Sequence, residues 1–153
     1  MHFVGFLKRH EPMICATEAY PITMGGGRFT MAERNAVIDF LDQGTAIIPF
    51  LHWVHDTDGQ PLSPHIIYSD GQWIWPSYYK VYLQKYPQIS VPAAFVKHVK
   101  NGIDVNTELK GLDRHYVEYL LAIQMKIHLP SNHKIPVDLQ ELITKKGLDV
   151  ICH

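Results

Sequence analysis

An Asp-Gly pair at Ser69-Asp70-Gly71-Gln72, set between two short apolar runs, constrains the fold of this chain more than any other feature. Asp-Gly between hydrophobic runs is the strongest short-range signal of a β-hairpin, because both residues tolerate the positive φ of a type I′ turn. The surrounding segment, His65 to Tyr86, holds two of the three tryptophans and five of the eight tyrosines. It predicts strands at 65–69 and 72–75. Pro76-Ser77 then breaks the ladder and opens an aromatic helix.

Upstream, Thr45 to His55 is rich in Ile, Phe, Trp and Val and reads as a strand. Pro49 interrupts it, so it belongs at a sheet edge or carries a bulge. Asp56-Thr57-Asp58-Gly59-Gln60-Pro61 is a second Asp-Gly turn, so the middle of the chain is a meander of strands 46–54, 65–69 and 72–75. Thr30-Met31-Ala32-Glu33 is a capping box, with Ala36, Val37, Phe40 and Leu41 at helical spacing behind it. It opens a helix over 31–43, and Gly44 stands where a C′ glycine belongs. Residues 2–7 alternate weakly as a first strand. Residues 11–29 read as a long loop with a short strand near 13–16.

Everything beyond Trp75 reads as helix. Tyr78, Tyr79, Tyr82, Leu83 and Tyr86 recur at helical spacing until Pro87. A second helix opens at Ser90-Val91-Pro92, carries Ala93, Phe95, Val96 and Val99, and closes at Asn101-Gly102. A third runs from Thr107 or Asp113 to His128, stopped by Pro130, and a last one covers 137–146 after the polar loop 131–134. The class is α+β: one domain over 1–153, a small antiparallel β-meander packed against about four to five helices.

Composition then removes several classes of function. A 46% hydrophobic, 19% charged chain with net charge −1 is globular and lacks the basic footprint of a nucleic-acid binder. In the aromatic stretch only Lys80 and Lys85 are interleaved, too few for a stacking platform. No window approaches 18 apolar residues, so no membrane span is expected. The opening run carries its charges after the apolar residues and lacks a long h-region, unlike a signal peptide. Cytoplasm is the expected compartment. Cys15 and Cys152 are too few for a disulfide framework and are expected to be reduced, with the terminal Cys152-His153 poorly ordered.

Candidate chemistry is sparse. His52-Trp53-Val54-His55-Asp56 offers two imidazoles, but a spacing of three on a strand points them to opposite faces, and no metal or cofactor is expected. Cys15 follows His10 by five residues without a thiol-enzyme signature. Gly25-Gly26-Gly27-Arg28 lacks the Gly-Lys-Ser/Thr of a phosphate loop, which leaves Arg28 as a partner contact. No catalytic residues are assigned. Most of the aromatic set Trp53, Tyr68, Trp73, Trp75, Tyr78, Tyr79, Tyr82 and Tyr86 belongs in the core. Asp70 at the turn tip and Tyr79, off the main apolar stripe, are expected at the surface. The residues read as partner-binding are Arg28, Asp58, Asp70, Trp73 and Tyr79, because aromatic and Arg anchors with charged neighbours dominate interfaces.

Tyr68-Ser69-Asp70-Gly71-Gln72-Trp73-Ile74-Trp75-Pro76-Ser77-Tyr78, followed by the tyrosine helix and Val91-Pro92-Ala93-Ala94-Phe95, resembles a pattern of small bacterial proteins encoded beside polymorphic or contact-dependent toxins, where they act as immunity proteins. The resemblance covers about residues 65–99 and departs at Val91, where Leu is usual. It implies a non-enzymatic protein that occludes a cognate toxin domain, and it carries over no site residues. The alternative is a small histidine-dependent hydrolase or nuclease using His52 and His55. Oligomeric state is not legible.

Overall fold

A computed structural model describes residues 1–22, 29–102, 109–127 and 135–153. Its strands are β1 (His2–Phe3), β2 (Thr45–His55), β3 (Pro61–Ser69), β4 (Trp73–Pro76) and β5 (Ile151–Cys152). Its helices are α1 (Met31–Phe40), α2 (Ser77–Lys85), α3 (Ala93–Lys100), α4 (Gly111–Gln124) and α5 (Val137–Lys146). The strands form one sheet in the order β2-β3-β4-β1-β5. The expected antiparallel meander β2-β3-β4 is present, and β1 and β5 extend it as parallel strands. The result is a single compact α+β domain.

Alternation along the central strands splits the core in two. Trp73 and Trp75 pack with Val37 and Phe40 of α1, Tyr78, Tyr79 and Tyr82 of α2 and Phe95 of α3. Ile67 and Ile74 face the other way, onto Phe3, Ile47 and Val117 and Leu121 of α4. Helix α5 packs behind α4 through Leu139. Because both faces are covered, β4 is buried at every position.

The capping box at Thr30 and Glu33 forms with both reciprocal hydrogen bonds, and α5 spans the expected residues. Other expectations are corrected. In the β3–β4 turn only Gly71 takes a positive φ, 90°, so the turn is not type I′. Asp70 instead uses its Oδ1 to accept the Gln72 and Trp73 amides at 2.9 and 2.7 Å. Gly44 does not adopt a left-handed C′ conformation. It lies under the Trp75 ring, where a Cβ would overlap the indole, and Trp75 Nε1 donates to the Leu41 carbonyl at 3.0 Å. Residues 13–16 form tight turns, not a strand. The nest at 25–28, the Thr107 start and His128 end of the long helix, and the loop 131–134 lie outside the described residues.

The largest correction is at the carboxyl end. Ile151 N–H donates to the Met1 carbonyl and His153 N–H to the Phe3 carbonyl, so the last residues are a sheet strand. The cysteines are not reduced: Cys15 and Cys152 form a disulfide across 137 residues, with Cα atoms 5.0 Å apart. Nothing local announces a pairing that only the β1–β5 register creates. No helix among the described residues is long and apolar enough to cross a membrane.

Candidate functional site

Strand β2 is the outer strand of the sheet. Its first half is covered: Arg114 of α4 donates to the Ala46 and Ile47 carbonyls at 3.1 and 2.9 Å. That satisfies an edge that would otherwise present free carbonyls. Pro49 comes next, with no amide to offer, as the sequence predicts for an edge.

Beyond Pro49 the register slips. Pro49 pairs with Ile66 and Trp53 with Pro64, so Phe50, Leu51 and His52 all lie opposite His65. This is an irregular bulge of three residues against one, and bulges re-aim side chains at sheet edges. The Phe50 ring stacks on His65 with centroids 4.3 Å apart, and the His52 ring meets His65 edge-on at 4.8 Å. Leu51, between them, is thrown fully into solvent, and Trp53 is 54% exposed. Trp53 is the member of the aromatic set that stays most open, whereas Trp73, Trp75, Tyr78, Tyr79 and Tyr82 are buried.

Behind the bulge runs a buried polar chain. His65 Nδ1 and His52 Nε2 are 2.9 Å apart. His65 Nε2 contacts Glu11 Oε1, and the Tyr78 hydroxyl donates to Glu11 Oε2. Tyr78 in turn accepts the Leu7 amide at 3.1 Å. Glu11, His65 and Tyr78 are all buried, while His52 is exposed. A carboxylate only accepts, so both neighbours donate to it. His65 therefore carries a proton on Nε2, toward Glu11, and its Nδ1 shares a hydrogen bond with His52 Nε2. Burial, reinforced by the Glu11 charge, pushes the Tyr78 hydroxyl far above its usual range, so it stays a donor. Beside it, His10 packs on the Tyr78 ring at 4.6 Å, and burial, with Arg9 and His65 adding to it, holds its imidazole down to about 4.

The Glu11 loop is fixed from several sides. Glu11 N–H donates to the Leu7 carbonyl at 3.0 Å and Met13 N–H to the Glu11 carbonyl at 2.8 Å. Four residues on, Cys15 is tied to β5.

The residues singled out from sequence scatter. Asp58 is exposed in the β2–β3 turn, where Asp56 Oδ1 accepts its amide at 2.9 Å. Trp73 and Tyr79 are core residues at 3% and 1% exposure. Tyr79 is buried because Gly5, at φ 79°, has no side chain and admits its ring. The Asp70 side chain is fully buried, its Oδ2 2.5 Å from His98 Nε2. The expected surface positions of Asp70 and Tyr79 are thus corrected, and Arg28 lies outside the described residues. Leu51, Glu11 and His65 escaped the sequence reading. Pro49 was the available signal for the bulge, whereas nothing local links Glu11 to a histidine 54 residues away.

Among the described residues no group of three or more His, Cys, Asp or Glu is placed to hold a metal ion. Two clefts, of about 290 and 250 Å³, lie beside Arg34 and beside Tyr20, Tyr82 and Tyr86, and neither is lined by a histidine. Comparison with known protein families, with curated proteins and with solved structures finds no match to this chain.

Proposed function

We propose that this chain is a non-enzymatic, immunity-type protein that binds and neutralises a cognate bacterial toxin domain, docking through the outer half of β2. The observation that supports the reading is the open, bulged edge at Phe50–Trp53, with Leu51 fully exposed and Trp53 half exposed. Large apolar side chains held on a rigid strand are the kind of anchor that dominates protein interfaces, and Trp is enriched among them. The edge also offers backbone groups to a partner strand, and the Arg114 cover limits that offer to the half beyond Pro49. Exposed Asp58, at the end of the same hairpin, stands as a rim charge that steers partner choice.

The test is co-expression with the toxin-like domain encoded next to this chain's gene. Protection of the host, with a stoichiometric complex on gel filtration, is the expected result. A Leu51→Ala/Trp53→Ala variant should keep its melting temperature and lose affinity by nearly a thousandfold, as two anchors at about 2 kcal/mol each imply. Failure to protect, with no complex formed, overturns the reading. Protection that is unchanged in the double variant keeps the function and moves the interface elsewhere.

A further inference from the structure

We infer that Cys15–Cys152 is a redox-operated latch: reduction by a dithiol frees β5 and uncovers the outer edge of β1, while the rest of the fold stays closed. The device lies at the opposite end of the sheet from β2 and is independent of docking there. The two halves of the disulfide are held very differently. Cys15 is buried, as are Met13 and Ala16 beside it. Its turn is pinned by the Ile14 amide on the Gln124 carbonyl at 3.2 Å and the Thr17 amide on the Phe6 carbonyl at 3.0 Å. Cys152 is exposed, together with Leu148, Asp149 and Ile151. Val150 is half-buried against the cluster that holds Phe3 and Val117. Beyond the cross-link, β5 is attached by two backbone bonds, Ile151 N–H to the Met1 carbonyl at 2.9 Å and His153 N–H to the Phe3 carbonyl at 3.0 Å. The His153 ring adds a contact, its Nε2 3.0 Å from His2 Nδ1 and its centroid 4.8 Å from that of Trp73. A two-residue strand with both side chains outside buries too little apolar surface to offset the entropy of ordering it. Gly147, at φ 75° and fixed by the Tyr116 hydroxyl on its carbonyl at 2.7 Å, is the point about which residues 148–153 swing.

The same asymmetry directs the exchange chemistry. One thiolate of the dithiol attacks the exposed Cys152 Sγ, the S–S bond breaks, and Cys15 leaves as a thiolate that takes up a proton. The second thiolate of the dithiol then attacks the reagent sulfur of the mixed disulfide. A cyclic disulfide of the reagent forms, and Cys152 leaves as a thiolate and is protonated in turn. Two electrons pass from the dithiol to the protein disulfide, and two thiols result. Cys15 stays in its pinned turn, whereas Cys152 leaves with β5, and the Met1 and Phe3 carbonyls lose the amides that now fill them.

The experiment is native-state amide exchange of the purified full chain, oxidised and after treatment with dithiothreitol. On reduction the Ile151 and His153 amides should lose about a hundredfold in protection and approach the rates of an unstructured peptide. Amides of β3 and β4 should remain protected. Iodoacetamide added to the reduced, folded protein should alkylate Cys152 about tenfold or more faster than Cys15, because one is exposed and the other is buried. A Cys15→Ser/Cys152→Ser variant should show the reduced exchange pattern from the start and respond no further to dithiothreitol. Because that variant can fail to fold, the reduced wild-type chain provides the deciding measurement. Protection of Ile151 and His153 that survives reduction, a uniform loss of protection across the sheet, or equal alkylation of the two cysteines would each overturn the latch.

Discussion

Two buried carboxylate–imidazole pairs stand in this small domain, and they have opposite surroundings. Asp70 and His98 join the β3–β4 turn to α3, and Glu11 and His65 join the loop after β1 to β3. Asp70 accepts three hydrogen bonds: Oδ1 takes two turn amides and Oδ2 takes His98. His98 ends against Phe95, Phe40 and Trp73, with no polar exit described beyond it. Glu11 accepts side chains only, from Tyr78 and His65, and the second nitrogen of His65 leads to an imidazole at the surface. The same chemical pair ends in the core at one place and reaches the surface through a second imidazole at the other. The group on the far side of the imidazole decides the role.

The comparison can be broken most forcefully at Asp70. Replacement by Ala leaves two turn amides and His98 without their acceptor, and removing one partner of a buried pair costs about 3–5 kcal/mol. Urea denaturation should show that loss, and a loss under about 1 kcal/mol would mean the pair is not structural. Reduction of Cys15–Cys152 comes next. Releasing a cross-link between distant residues costs about 2–4 kcal/mol. Because Cys15 lies four residues beyond Glu11, amide exchange should rise more in the Glu11 loop than in the Asp70 turn. Equal changes in both would break the link between the disulfide and the Glu11 loop.

Acid should act on both sides of the comparison. Burial is the largest cause holding His10 at about 4 on the Glu11 side, and it also lowers His2 and His153 beside Trp73. Each binds its proton more readily unfolded, near the ordinary 6.5, than folded. The His10 contribution is therefore complete above about pH 6.5 and is lost as pH falls toward about 4, and His2 and His153 act in the same direction. Melting temperature should drop across that window, and His10→Gln should flatten the part of the drop that belongs to the Glu11 side. The smallest effect is expected at His52 itself. His52→Ala should change stability by no more than about 0.5 kcal/mol, since the ring is exposed, and a larger loss would make it a structural member of the chain.

Local chemistry is legible where it is made by neighbours in sequence. Thr30 and Glu33 announced α1, Asp56 to Gly59 and Asp70-Gly71 announced the turns, and Pro49 announced an edge. The details at those sites depended on contacts from afar. Gly44 serves the Trp75 ring and not a helix end, and Gly5 makes room for Tyr79, which reversed its expected exposure. The candidate site was read only as His52 near His55 in a strand. Its meaning lies in Glu11, His65 and Tyr78, brought to one place from three elements.

What the amino-acid sequence determined by itself was the class and the order of elements: an α+β domain with a capped helix, a three-strand meander, an aromatic helix and three further helices. Hydrophobic period, caps and turn residues act over a few positions, so they can be read in one dimension. Only the tertiary structure decided that β1 would lie between β4 and β5, that Cys15 would meet Cys152, and that Glu11 would meet His65 behind the exposed His52. His52 and His65 apart, which are 13 positions from one another, those pairings join residues 54 to 149 positions apart, and their free energy exists only once both covered faces of the sheet have closed around them.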